Sequence, residues 1–189
     1  MKNFLFVPVT FALVASLVLW TNNFTDKANA QGTATTSETL SPFANLTKNW
    51  YRYTAKDGSY SALFPSQPEE TIESDHNQVA YYDSVNDRSY MIVFLKFPNR
   101  NEAENFVEED VVPLNEGDVI VTDRKKISLN GLSGREITFQ TKDDWVWKMQ
   151  VAVDSKLPSI YMAIVVAKKG NKDFPEAQAF LDSMSIKQR

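Results

Sequence analysis

The chain has no cysteine, one histidine and only six glycines in 189 residues. Without cysteine it can form no disulfide, thiolate zinc site, thiol nucleophile or lipidated N-terminal cysteine, so no lipid anchor is expected. The lone histidine, His76, is the sole candidate base for a Ser-His-acid triad. It stands in Glu73-Ser74-Asp75-His76-Asn77-Gln78, a polar run that reads as a turn, and no Gly-x-Ser-x-Gly elbow accompanies it. A phosphate loop, a Rossmann glycine pattern and a haem-attachment motif are also missing. The chain therefore reads as a non-enzyme. An excess of positive charge is lacking too: 20 Lys and Arg stand against 24 Asp and Glu, a net charge of −4. Such a chain carries no electrostatic footprint for nucleic acid.

What is present is a packed, exported domain. Hydrophobic residues make up 43% and charged residues 23%, ordinary globular values. Lys2 precedes an apolar stretch, Phe4 to Trp20, and Ala28-Asn29-Ala30 supplies the small-x-small pattern that a signal peptidase accepts. Residues 1–30 read as a signal peptide cleaved after Ala30, leaving Gln31 at the new N-terminus; an uncleaved anchor is the alternative. Either reading exports the domain. Residues 31–48, rich in Thr, Ser and Ala, read as a flexible lead-in, and residues 49–189 as one domain.

Hydrophobic periodicity sets the fold class. Ser59–Phe64, Thr71–Glu73, Gln78–Asp83 and Ser89–Phe97 read as strands separated by turn residues. In the last of these, Met91, Val93 and Leu95 share one face while Tyr90, Ile92 and Phe94 share the other, which predicts a strand covered on both sides. Ala103, Phe106, Val107, Val111 and Leu114 then fall at helical spacing, with Asn99 and Glu102 as a start signal. Val119–Val121 and Lys126–Leu129 follow as strand pieces, and Asn130-Gly131 marks a hairpin. Arg135–Gln140, Trp145–Val153 and Ile160–Ala167 complete the strands. A closing helix carries Ala177, Phe180, Leu181 and Met184 on one stripe, with Asp173 and Glu176 as its capping box. The expectation is an α+β fold: a central antiparallel β-sheet with helices packed on its faces.

Four side chains could converge on a divalent ion, Asp75, His76, Asp83 and Asp87, with calcium or manganese suited to such oxygen-rich donors. Against this, Asp and Asn are common in turns for backbone reasons alone. Trp145 and Trp147 share a strand face and read either as core beneath a helix or as an aromatic ledge for a partner or apolar ligand. Trp50, Tyr51 and Tyr53 open the domain and read as a cap on that same core. The runs Glu69-Glu70, Glu108-Glu109-Asp110 and Asp143-Asp144 read as solvated surface charge, and Arg124-Lys125-Lys126 as a solvated edge or, alternatively, a docking patch for an acidic partner.

Several local features occur together: Trp50-Tyr51 with Asp57-Gly58-x-Tyr60-x-x-x-Phe64-Pro65-x-x-Pro68, then Ile127-x-Leu129-Asn130-Gly131-x-x-Gly134-Arg135-Glu136, and finally Phe180-Leu181-Asp182-Ser183-Met184. This combination resembles the PsbP-like family in its diverged, exported bacterial and cyanobacterial form, over about Trp50 to Ile186. The resemblance implies an α/β/α sandwich in the thylakoid lumen or periplasm. It also implies an extrinsic role at a membrane complex such as photosystem II, where family members support oxygen evolution, calcium and chloride retention, or assembly. The cyanobacterial homologue is typically anchored through an N-terminal Cys, so the absence of Cys here implies a soluble paralogue; a monomer is expected. Two function classes stay open: an accessory domain that docks on a protein complex without a resident cofactor, and a small carrier of a divalent metal ion or apolar ligand.

Overall fold

A computed structural model describes residues 45–72, 76–111, 119–154, 156–168 and 175–187. The cleavage motif Ala28, Ala30 and Gln31, most of the lead-in, Asp75, Leu114 and the Asp173 cap lie outside the described residues.

Among the described residues, ten strands form two sheets, accompanied by two short helices. The large sheet has the order β3-β4-β5-β9-β8-β7-β6, built from β3 (Glu69–Ile72), β4 (His76–Asp83), β5 (Arg88–Lys96), β6 (Val119–Leu129), β7 (Leu132–Thr141), β8 (Trp145–Asp154) and β9 (Ser159–Lys168). Every neighbouring pair is antiparallel. The small sheet, β1-β2-β10, joins β1 (Tyr51–Thr54), β2 (Tyr60–Phe64) and β10 (Ser185–Ile186). The helices are α1 (Arg100–Asn105), which runs on into a π-helical turn at Phe106–Val111, and α2 (Pro175–Ser183).

Strand alternation divides the core into two layers. Tyr90 and Ile92 of β5 join Tyr60, Ala62 and Phe64 of β2 and Ala177, Phe180 and Leu181 of α2 on one face. Met91, Val93 and Leu95 join Ala103, Phe106 and Val107 on the other, with Ile137, Phe139, Met149 and Val151. The two-sided burial expected for β5 is therefore present. Aromatic rings fill the first layer: Phe180 stacks edge-on against Phe64 at 5.1 Å and against Tyr90 at 5.4 Å, the geometry that the ring quadrupole favours.

The expected sandwich with helices alone on its faces holds only in part. One face is covered jointly by α2 and the small sheet, so its cover is mostly strand. The small sheet leaves little trace in the sequence because β10 has only two residues, held by pairing Ser185 with Ser61 and Ile186 with Tyr60. Trp50 and Tyr53 pack on this layer, opposite the layer of Trp147, which corrects their expected common core. The first helix is also shorter than its apolar stripe predicts. Asn99 caps α1, accepting a hydrogen bond from the Glu102 N–H at 3.0 Å, but the α-helical pattern ends at Asn105. The β-branched Val107 and Val111 fall in the wider π turn, where α-helix propensity is weaker.

Val119–Val121 and Lys126–Leu129 are two ends of one strand. Between Val121 and Asp123 the register slips by one residue. That bulge turns odd-numbered side chains from one face to the other: Val119 and Val121 pack toward the α1 layer, whereas Leu129 packs in the α2 layer.

Candidate functional site

The described residues enclose a cleft of about 510 Å³ between α1 and the β6–β7 hairpin, within the size range of small-ligand and peptide-side-chain pockets. Two sequence features place its sheet wall. Asn130 and Gly131 adopt φ 53° and 83°, the left-handed pair of a tight hairpin turn, and the Asn130 amide donates to the Met184 carbonyl at 3.1 Å, tying the hairpin to the end of α2. Gly134 follows because β7 crosses β8 closely: a Cβ there would lie 2.4 Å from the Val151 carbonyl oxygen. Arg135, next in line, projects on the α1 face.

The helical wall carries Arg100, Glu104, Val107 and Glu108. Arg135 Nη2 donates to Glu108 Oε1 at 2.5 Å, and Nη1 donates to the Gly134 carbonyl at 3.2 Å. Arg100 Nε donates to Glu104 Oε1 at 2.6 Å. Arg135 is only 21% exposed, against 53% for Glu108. The guanidinium is thus held by the protein, while its carboxylate partner stands mostly in water. Val107 and Val153 supply the apolar part of the lining.

Two polar clusters lie elsewhere in the sheet. Glu136, 5% exposed, accepts from Lys125 Nζ at 2.7 Å and from Gln150 Nε2 at 2.8 Å. Burial pushes its pKa up, but the ammonium and the two hydrogen bonds outweigh burial and hold the carboxyl below its usual value. At the opposite end, Glu70 accepts from the Tyr53 hydroxyl at 2.6 Å and from Asn77 at 3.1 Å, with Lys56 Nζ at 3.3 Å. Its carboxyl is lowered chiefly by the Tyr53 hydrogen bond. The Tyr53 phenol rises to about 12, through burial first and the Glu70 carboxylate second. Both clusters tie strands together, although the buried Asn77 Oδ1 and Gln150 Oε1 have no hydrogen-bond partner among the described residues, and neither cluster lines the cleft.

The residues singled out for a metal do not assemble. His76 opens β4 and pairs with Leu95, not in a turn as expected, while Asp83 ends the same strand opposite Arg88. Seven strand steps separate the two by roughly 23 Å. Asp83 accepts from the Val85 and Asn86 backbone N–H groups at 3.1 and 3.3 Å, and Asp87 accepts from the Tyr82 hydroxyl at 2.7 Å, so both serve the β4–β5 turn. Among the described residues no group of three or more His, Asp or Glu side chains is placed to hold an ion. Nor can His76 serve Ser133 of the cleft: β4 and β7 are four strand positions apart, roughly 19 Å.

Trp147 is 6% exposed and stacks on Phe139 at 5.5 Å with the rings 13° from parallel, a core position. Trp145 is half-buried, with Lys168 Nζ 4.1 Å from its ring centroid, a cation–π contact that covers the ledge. The cleft residues themselves do not announce a site in the sequence. Glu108 reads as one of three adjacent acids, and nothing in the spacing links it to Arg135 across 27 positions. The available signal was Asn130-Gly131-x-x-Gly134-Arg135, a tight turn and a close crossing just before a cation.

No family model matches the chain, and no curated protein matches it. Solved structures do. The solution structure of cyanobacterial PsbP from Synechocystis aligns with a TM-score of 0.52 at 11% identity, over 73% of this chain and 92% of that one. The Ran-binding protein Mog1p of Saccharomyces cerevisiae aligns with a TM-score of 0.46 at 10% identity, over 73% and 95%. A protein of Bacteroides thetaiotaomicron aligns with a TM-score of 0.45 at 11% identity, over 72% of this chain and 48% of that one. At these identities the likeness concerns architecture, and on that ground the chain has a PsbP-like fold.

Proposed function

We propose that the chain is a non-enzymatic exported accessory domain that docks on a protein complex at the lumenal or periplasmic face of a membrane, with photosystem II as the first candidate. The observation that carries this reading is the fold likeness to cyanobacterial PsbP over 92% of that protein. The sequence supports it through the export signal ending at Ala30. The cleft supports docking as well, since it offers paired charges and an apolar lining. The reading requires no resident cofactor, and calorimetric titration with calcium or manganese is expected to give no binding heat.

The test is cross-linking in the native host, followed by affinity capture and mass spectrometry. Recovery of photosystem II subunits, lost in high salt, supports docking through exposed charges. Recovery of the chain alone, without any membrane protein, contradicts it.

A further inference from the structure

Two cations without an ion pair among the described residues stand beside the cleft of an acidic chain. In the β6–β7 register Lys126 lies directly opposite Arg135, and Arg124 opposite Ile137, so all three cations project on the α1 face of neighbouring strands. Like charges directly opposite one another destabilise a sheet. Arg124 and Lys126 are exposed and form no ion pair among the described residues. Arg100 adds a fourth cation from the helical wall. Within the lining Arg100 and Arg135 are matched by Glu104 and Glu108, so the unmatched positive charge is that of Lys126 and Arg124 beside it, on a chain whose net charge is −4. Arg135 spends one donor on the exposed Glu108 and one on the Gly134 carbonyl; a guanidinium has five, in a fork suited to a second carboxylate. Val107 and Val153 lie in the same cleft.

From this arrangement we infer that the cleft receives an acidic peptide segment of the partner. One carboxylate displaces Glu108 from Arg135, further acids reach Lys126 and Arg124, and an apolar side chain meets Val107 and Val153. The inference rests on the docking reading and names its partner's chemistry. Glu108 acts as an internal stand-in for the incoming carboxylate, holding the guanidinium in position until it is exchanged.

The experiment is fluorescence anisotropy with the chain as purified from its host. The probe is a short fluorescein-labelled peptide alternating glutamate and leucine, beside its glutamine–leucine counterpart and phosphatidylglycerol vesicles. The glutamate peptide is expected to bind, more weakly as salt rises, and the glutamine peptide not to bind. Arg135→Gln weakens binding by about tenfold or more, whereas Glu108→Gln, which removes the internal competitor, strengthens it. Lys187→Gln, an equal charge loss elsewhere, leaves it unchanged. Opposite signs for the two cleft variants cannot arise from a shared loss of folding. Equal binding of both peptides, weakening by both cleft variants, or binding to the vesicles in place of the peptide overturns the inference. Host capture separates the two readings: complex recovery unaffected by Arg135→Gln defeats the cleft and keeps docking, while peptide binding without complex recovery does the reverse.

Discussion

Gly134 shows how one side chain's absence positions a site. A Cβ at this position would lie only 2.4 Å from the Val151 carbonyl oxygen. Gly134→Ala must therefore push β7 away from β8, and such overpacking costs roughly 1–3 kcal/mol. The expected outcome is a lower urea midpoint and a displaced Arg135, read by denaturation and by loss of binding in the cleft. Glu136 gives a second test at this scale. Its pKa is lowered on folding, so its contribution to stability is present above the unfolded carboxyl value and is lost as pH falls through the lower folded value. Glu136→Gln should cost about 1–2 kcal/mol at neutral pH, because Lys125 is half exposed and can rehydrate. It should also flatten the acid limb of the stability curve; an unchanged acid limb would assign that limb to other carboxyls. The Tyr53 phenol, raised from 10.0 to about 12, has the opposite sense: its contribution holds below pH 10 and is lost as pH rises toward 12. An absorbance titration of Tyr53→Phe against the parent would show the missing late ionisation.

At the scale of the elements, α2 closes the first layer through one ring. Phe180 is fully buried between Phe64 and Tyr90, and Phe180→Ala should destabilise by about 3–5 kcal/mol. Its neighbour Gln178, half-buried, accepts from Lys148 Nζ at 3.2 Å and donates to Asp182 Oδ1 at 2.7 Å, so Gln178→Ala should cost only about 0.5–1.5 kcal/mol. This division was legible beforehand, since Ala177, Phe180, Leu181 and Met184 fall on a helical stripe. So was β5, whose two apolar faces require two layers. The bulge at Thr122 was not, because a charged run on an edge strand has no apolar alternation to reveal a change of face. The short β1 and β10 were hidden for a related reason: their pairing is long-range, and two residues carry no period. The ion pair of Arg135 with Glu108 belongs to the same class, set by tertiary geometry and invisible in local spacing.

For the whole molecule, the two-layer architecture explains where function can reside. Both faces of the large sheet are largely covered, by the small sheet with α2 and by α1, and the aromatic residues lie mostly inside. Among the described residues the corner where α1 meets the β6–β7 hairpin is open, and there Lys126 and Arg124 stand without an ion pair beside two matched Arg–Glu pairs. Docking as proposed draws its affinity from exposed charges in an open cleft, so the attachment it predicts is reversible and sensitive to salt. The measurement that tests this account most directly is cross-linking and capture from host membranes with the parent chain and Arg135→Gln in parallel. The account predicts recovery of a lumenal or periplasmic membrane complex with the parent, released by high salt and depleted in the variant. Capture of the parent chain alone, with no membrane protein attached, would contradict it.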